Sequence, residues 1–273
     1  MQLFDSHTHM NNESYTEAQR EELAAQIEAS EVAYVVDVGF DLESSLMAIA
    51  HAKKYPWCYA AVGFHPHDAK DMDDASFDLI RGLAKREKVV AVGEIGLDYY
   101  RNLSSREEQQ ECFRRQIGLA LELGMPIIIH DRDANDDVLR ILKEEGVFAA
   151  ARTGRFPKNP ETGTADARLL LHCYSGSREL AQQYVKLGAT ISIAGPVTYK
   201  NARKAAETVE AVPLEHLLVE TDAPYLTPEP FRGKPNSSPL VKYTAAKVAE
   251  LKGVSLEATA RATCENAKRF FGI

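Results

Sequence analysis

The sequence predicts a closed (β/α)8 TIM barrel forming a single domain over residues 1–273. Three observations predict it. Eight short β-rich runs alternate with helical patterns along the chain. Several runs are apolar on successive residues, as in Val89-Val90-Ala91-Val92, Ile127-Ile128-Ile129 and Leu169-Leu170-Leu171, which is how strands buried on both faces of a parallel sheet read. The length of 273 residues suits a barrel of ~250 residues carrying an insertion. An open doubly wound sheet is the alternative, but the first β–α connection has no Gly-rich phosphate fingerprint.

The first run, 2–6, leads to Thr16-Glu17-Ala18-Gln19, which has the spacing of a capping box, after which Leu23 and Ile27 share a helical face. The second, 32–38, is followed by Asp41 as the cap of a helix with Leu42, Leu46 and Ile49 in a stripe. Lys53 and Lys54 lie in its last turn and Pro56 stops it. After the third run, 58–63, the helical pattern around 77–83 is the least regular. The fourth, 88–93, precedes a second capping box, Ser105 with Glu108, opening a helix through Phe113, Ile117 and Leu121 that ends at Gly124. The fifth, 125–130, is followed by Val138, Ile141 and Leu142, with Gly146 closing the helix. The runs 168–172 and 189–193 precede helices expected over 177–187 and 201–209, and the run 216–220 precedes two final helical patterns, near 240–251 and 256–270. Residues 150–166 break this rhythm. With Arg152, Gly154, Arg155, Pro157, Lys158, Pro160 and Gly163, they read as a flexible loop or hairpin inserted before the sixth strand, at the bottom of the barrel.

Composition narrows the function. The chain is 45% hydrophobic and 26% charged, and no apolar run approaches the ~20 residues of a membrane span, so a soluble protein without a membrane partner is expected. The first strand begins almost at Met1 and carries the first candidate site, so no cleavable leader is expected. Four widely spaced cysteines, Cys58, Cys112, Cys173 and Cys264, without Cys-x-x-Cys, fit reduced thiols in the cytoplasm. A formal net charge of −8 argues against a broad basic surface for nucleic acid. A local site is still compatible with it, because two bound divalent cations bring about four positive charges to the place where an anion docks. A monomer is a plausible state.

The titratable residues at the strand ends carry the chemistry. In Phe4-Asp5-Ser6-His7-Thr8-His9, strand alternation projects His7 and His9 from one side, about 6–7 Å apart at their backbones, so two imidazoles converge. Glu94 follows the fourth run, His130 closes the fifth, His172 closes the sixth and Asp222 follows the eighth. All are expected at C-terminal strand ends, where barrel enzymes assemble their sites. Each alone reads as a helix cap or a packed histidine. Four imidazoles and two carboxylates at one rim read as a metal centre, and they outnumber the three or four ligands of a single tetrahedral site, so two ions are expected. Such ligation suits zinc, manganese or iron. Two divalent ions roughly 3.5–4 Å apart acidify a shared water and clamp a phosphoryl oxygen. Spacing and residue type alone reach only metal-assisted hydrolysis.

The chain closely resembles the TatD family of metal-dependent DNases, within the amidohydrolase-like hydrolase barrels. The resemblance runs through the His7/His9 motif, Gly63-Phe64-His65-Pro66-His67, Gly93-Glu94-Ile95-Gly96-Leu97-Asp98, Pro126-Ile127-Ile128-Ile129-His130-Asp131-Arg132-Asp133-Ala134, His172-Cys173-Tyr174-Ser175-Gly176 and Glu220-Thr221-Asp222-Ala223-Pro224-Tyr225. It implies His7, His9 and Asp222 on one metal and His130 and His172 on the other, with Glu94 bridging. It also implies His65 near the substrate phosphate, hydrolysis of DNA from a 3′ end, and activity supported by magnesium as well as by zinc or manganese. Two departures are the 150–166 insertion and Asn236-Ser237-Ser238-Pro239, where the family more usually has Asn-Glu-Pro.

From this assignment Asp222 is the expected general base and Glu94 holds the ion spacing. His65 is expected to act as a cation donating to a phosphate oxygen. Arg132 and Arg232 are expected phosphate contacts on loops, and Tyr99 and Tyr100 are candidates for stacking a base. Glu220 is expected to orient the site. His67 should hydrogen-bond locally, His51 and His216 should take surface or packing roles, and Cys173 should alternate away from the site. Two other readings stand beside the nuclease: a two-metal hydrolase of a smaller phosphoester, amide or lactone, and a metal-binding scaffold with little turnover.

Overall fold

The computed structural model describes all 273 residues. Its elements are β1 (Leu3–Thr8), α1 (Glu17–Glu28), β2 (Val32–Val38), α2 (Leu42–Lys54), β3 (Cys58–Val62), α3 (Asp74–Leu83), β4 (Val89–Asp98), α4 (Arg106–Leu123), β5 (Ile127–Arg132) and α5 (Asn135–Glu144). They continue with α6 (Ala150–Thr153), β6 (Leu169–Leu171), α7 (Arg178–Lys186), β7 (Thr190–Ile193), α8 (Arg203–Ala211), β8 (Leu217–Val219), α9 (Val241–Lys252) and α10 (Leu256–Phe271). Eight parallel strands in sequential order form a nearly closed barrel. No helix is long and apolar enough to cross a membrane.

Helix starts follow local chemistry. Thr16, Asp41 and Ser105 cap α1, α2 and α4 with reciprocal capping boxes, and Gly124 ends α4 at φ 67°. The irregular third pattern is a regular helix that starts earlier than expected, at Asp74, because Asp73 and Ser76 form a further capping box.

Alternation along the strands separates two apolar layers. Ile127, Ile129, Leu169, Leu171, Leu217 and Val219 face the helices. Phe4, Val36, Ala61, Ala91, Ile128, Leu170 and Leu218 belong to a separate inner cluster, which Phe270 and Phe271 of α10 join. Phe271 stacks on Phe4 with ring centroids 5.7 Å apart. A period of two then carries the inner face from Ile128 to His130, from Leu170 to His172 and from Leu218 to Glu220.

Strand lengths depart from expectation where the site lies. β4 runs on to Asp98, so Glu94 sits inside a strand rather than after one, and β5 runs past His130 to Arg132, paired with Asp98. The two strands come so close at Gly96, φ +147°, that a Cβ there would stand 2.0 Å from the His130 carbonyl oxygen. A side chain at that position would force the strands apart. His216 lies in a short 3-10 turn before β8 rather than in the strand.

No continuous ladder joins β8 to β1. One bridge, Thr8 to Ala223, and the bonds Asp222 N–H to His7 O (2.9 Å) and His9 N–H to Ala223 O (2.8 Å) close that seam. Side chains reinforce it. Asp5 accepts from the Thr221 N–H at 2.8 Å and from the Thr221 hydroxyl at 2.6 Å, and Ser6 donates to Val219 O at 3.1 Å. The buried Asn236 donates to Thr221 O and Tyr225 O, so the departure at 236–239 packs beside this seam.

The 150–166 segment is not a hairpin. It opens with the single turn α6 and is pinned along its length at the N-terminal ends of the strands. Buried Arg152 donates to Ala167 O and Met125 O, Asn159 donates to Glu215 O, and His216 Nε2 meets the hydroxyls of Thr162 and Thr164. Its basic residues therefore lie at the end of the barrel opposite His130 and His172.

Candidate metal centre

At the C-terminal mouth the structure gathers His7, His9, Glu94, His130, His172 and Asp222, drawn from both ends of the chain. Glu94 is the hub, almost fully buried at 3% exposure. Its Oε2 faces His7 Nε2 at 3.4 Å and His9 Nε2 at 3.7 Å. Its Oε1 faces His130 Nδ1 and His172 Nε2, each at 2.7 Å, and His65 Nε2 at 3.6 Å. Asp222 completes the first group, with Oδ1 at 3.4 Å from His9 Nε2 and 3.8 Å from His7 Nε2. The two oxygens of one carboxylate thus divide the donors into two sets.

Most of the inward-facing nitrogens are fixed by what the opposite side of the ring touches. His9 Nδ1–H donates to Val38 O at 2.9 Å, leaving Nε2 as the lone pair turned inward. The Val38 carbonyl is itself held by Asn11 Nδ2 at 2.9 Å. His172 Nδ1 faces Glu220 Oε1 at 3.2 Å, and that oxygen also accepts the Cys173 N–H at 2.6 Å, so Glu220 takes the orienting place expected of it. His130 Nε2 faces Asp98 Oδ2 at 3.3 Å. Carboxylate and carbonyl partners on the far ring nitrogen are the usual setting of metal-ligating histidines. Convergent imidazole nitrogens and hard carboxylate oxygens on one shared bridge fit divalent cations. Two donor groups whose atoms lie within 4.8 Å of one another are His7/His9/Glu94 and His65/Glu94/His130. A third is His7/His172/Glu220, in which His7 Nδ1 and Glu220 Oε2 are buried without a partner.

The electrostatics follow from crowding in a dry place. Burial pushes the Glu94 carboxyl up, but the charge of His172 and the hydrogen bonds of His130 and His172 outweigh it and hold Glu94 well below the usual carboxylate range. Burial likewise raises Asp222, while the His9 contact and the His172 and His7 charges bring it below its ordinary value. Asp5 is raised to about 7, chiefly by burial.

Several expectations need correction. His65 was expected to be cationic, but burial, with His130 beside it, pushes its pKa well below the ordinary value, so it is neutral. Its Nδ1 accepts the His67 N–H at 3.1 Å, which places the proton on Nε2, facing the centre. His67 reaches beyond its own turn to Asp98 Oδ2 at 2.8 Å. Asp98 is fully buried, its Oδ1 accepts the Arg101 N–H at 2.7 Å, and its own N–H donates to Gln109 Oε1. Sequence reasoning missed Asp98, although the even spacing Glu94, Gly96, Asp98 in a strand places all three on one face.

His51 is buried and bonds Asp37 Oδ2 at 2.6 Å, so it packs rather than lying at the surface. Cys173 has φ 42°, not an extended backbone, and burial, with the charges of Asp222, Glu220 and Glu94 adding to it, pushes its thiol well above the ordinary value. All four cysteines are free thiols. Arg132, exposed at the end of β5, stacks over Tyr100, and Arg232, exposed after β8, stacks over Tyr199. Tyr99 is drawn back toward α5 by its hydroxyl bond to Asp137 at 2.8 Å.

A parallel barrel whose C-terminal mouth holds clustered, partner-oriented imidazoles around one buried carboxylate is the architecture of a metal-dependent hydrolase. Comparison with known proteins narrows the class. The family described as TatD related DNase matches residues 4–272. The uncharacterized metal-dependent hydrolase YabD of Bacillus subtilis is 45% identical over 271 residues, covering 99% of each chain. The 3′-5′ ssDNA/RNA exonuclease TatD of Klebsiella pneumoniae is 33% identical, covering 99% of this chain and 98% of its own. The crystal structure of YjjV, a TatD homologue from Escherichia coli, superposes with a TM-score of 0.84 at 28% identity, covering 99% of this chain and 98% of that one. The chain belongs to the TatD family of metal-dependent hydrolases.

Proposed function

We propose that this protein hydrolyses phosphodiester bonds of single-stranded nucleic acid from the 3′ end, with DNA as its main substrate, using two divalent cations. The observation that carries this reading is the division of donors by Glu94, with Oε2 toward His7, His9 and Asp222 and Oε1 toward His130 and His172. The relatives named as 3′-5′ ssDNA/RNA exonucleases support the substrate class.

In this reading His7, His9 and Asp222 hold one ion, His130 and His172 the other, and Glu94 both. Zinc, manganese or magnesium bound there would supply Lewis acidity toward water and a phosphoryl oxygen. The chain's own groups do the rest. Asp222 is ionised, and its Oδ2, which makes no hydrogen bond within the protein, takes a proton from the attacking water. Neutral His65 donates its Nε2–H to a non-bridging oxygen as charge develops there. Asp98 and Glu220 hold the rings of His130 and His172 in the orientation that leaves Nδ1 of one and Nε2 of the other turned inward. Addition of water across the P–O bond leaves a phosphate monoester and a hydroxyl.

The test pairs metal replacement with a panel of labelled DNA, labelled RNA and small esters, using Asp222→Asn protein as the contamination control. The expected result is stepwise shortening of DNA from its 3′ end, lost in the variant while most bound metal is kept. Turnover of small esters alone would sink the nuclease reading, and full activity in Asp222→Asn would remove Asp222 from the base role.

A further inference from the structure

The mouth of the barrel carries three guanidinium–phenol stacks that the metal centre does not use: Arg132 over Tyr100, Arg232 over Tyr199, and Arg106 over Tyr99, whose hydroxyl is drawn back to Asp137. Arg132 Cζ lies 4.0 Å from the ring centroid of Tyr100, and Arg232 Cζ lies 4.3 Å from that of Tyr199. Neither arginine has a carboxylate within ion-pair distance, whereas Arg81, Arg114, Arg115 and Arg140 all do. In a chain of formal net charge −8, these guanidiniums put local positive charge at the rim of an acidic centre.

The Arg132 and Arg232 stacks are both built on fixed backbone. Arg132 pairs with Asp98 across the β4–β5 ladder, and its carbonyl accepts the Tyr99 N–H at 2.9 Å, which sets Tyr100 at the strand end. Tyr100 keeps 64% of its surface exposed. On the other side, the Tyr199 hydroxyl donates to Thr227 O at 3.0 Å and the Glu229 N–H to Thr198 Oγ1 at 2.8 Å, stitching the β7 loop to the β8 loop that carries Arg232. One stack therefore flanks the centre from the β4–β5 side and the other from the β7–β8 side.

A guanidinium already stacked on a phenol offers its outer face to a base and its N–H fork to a phosphate, and neither contact requires a particular base. We propose that Arg132/Tyr100 and Arg232/Tyr199 are two nucleotide seats flanking the centre, one for the 3′-terminal nucleotide and one for its upstream neighbour. This rests on the nucleic-acid reading above and adds to it how the strand is held.

The test compares kcat/KM for a single-stranded oligodeoxynucleotide with that for bis-(p-nitrophenyl) phosphate, in metal-loaded wild type and in Tyr100→Ala/Arg132→Ala and Tyr199→Ala/Arg232→Ala. Base stacking is worth about 1–3 kcal/mol per base, so each double variant should lower the oligonucleotide-to-small-diester ratio by about tenfold or more, chiefly through the oligonucleotide KM. The logarithmic salt dependence of binding should flatten by about one unit for each arginine lost. Arg132→Lys and Arg232→Lys, which keep charge but not the planar stack, should retain the salt slope and recover only part of the ratio. An unchanged ratio in both double variants of an enzyme that degrades oligonucleotides would overturn the seats alone. A wild type active on the small diester but on no oligonucleotide would overturn the nuclease reading and the seats with it.

Discussion

The two halves of the candidate metal centre are built by different means. His130 stands in a strand whose ladder with β4 resumes at Ile95, after an irregularity following Val92, and runs as far as Asp98 and Arg132, while β5 also pairs with β6. His172 follows β6 directly. His7, His9 and Asp222 stand at the seam, where one bridge, two backbone bonds and the Asp5–Thr221 and Ser6–Val219 contacts replace a ladder. A ladder spreads its strain over many bonds, whereas the seam depends on a few, several of them made by buried side chains. The lesson is that one half should tolerate local damage and the other should not, although both present similar donors.

Loss of the shared group is the largest expected effect and should abolish the distinction between the halves. Glu94→Gln should weaken both ions and lower turnover on the order of 10³-fold, corresponding to several kcal/mol of lost transition-state stabilisation. Metal content after dialysis and kcat check it, and loss of one ion only would show that Glu94 is not the bridge. Asp5→Ala attacks the seam by leaving the buried Thr221 N–H and hydroxyl without their acceptor, at a cost of about 2–3 kcal/mol. Denaturant unfolding should show that loss, and metal titration should show weakened binding of the ion held by His7, His9 and Asp222. Equal weakening of both ions would break the comparison.

Asp98→Asn attacks the ladder side without touching the ladder. It should lower affinity for the ion at His130 and His172 by about 10- to 100-fold and leave the other near wild type, as read by chelator competition. Ser6→Ala, which removes one seam hydrogen bond, should cost about 1 kcal/mol of stability. No measurable change in the unfolding midpoint would show that the backbone bonds alone hold the seam.

What was legible in the sequence was local. Capping boxes at Thr16 and Ser105 and the continuously apolar runs marked the elements, and motifs at strand ends pointed to the six candidate ligands. What was not legible depended on contacts distant in the chain. The Asp5–Thr221 clamp joins residues 216 positions apart, and no spacing rule connects them. β4 was read as ending at Gly93, whereas it runs on to Asp98. In the barrel, Glu94 is compensated by imidazoles from several other elements, and the missing Cβ of Gly96 is what allows β5 to approach. Asp98 and His67 escaped for the same reason: their partner is each other, across 31 positions. His65 was assigned the wrong charge because its burial among other imidazoles cannot be read from His65-Pro66-His67.

The seam also has a consequence for the order in which a ribosome delivers this chain. By the time His172 has emerged, five of the six candidate ligands are present, including the pair on the ladder side. Asp222 and Thr221 follow later in the chain, and α10, whose Phe271 packs on Phe4 at the far end of the barrel, later still. The proposed general base Asp222 is therefore seated only when β8 has folded back onto β1. On the proposed mechanism, hydrolysis therefore waits for the seam to close.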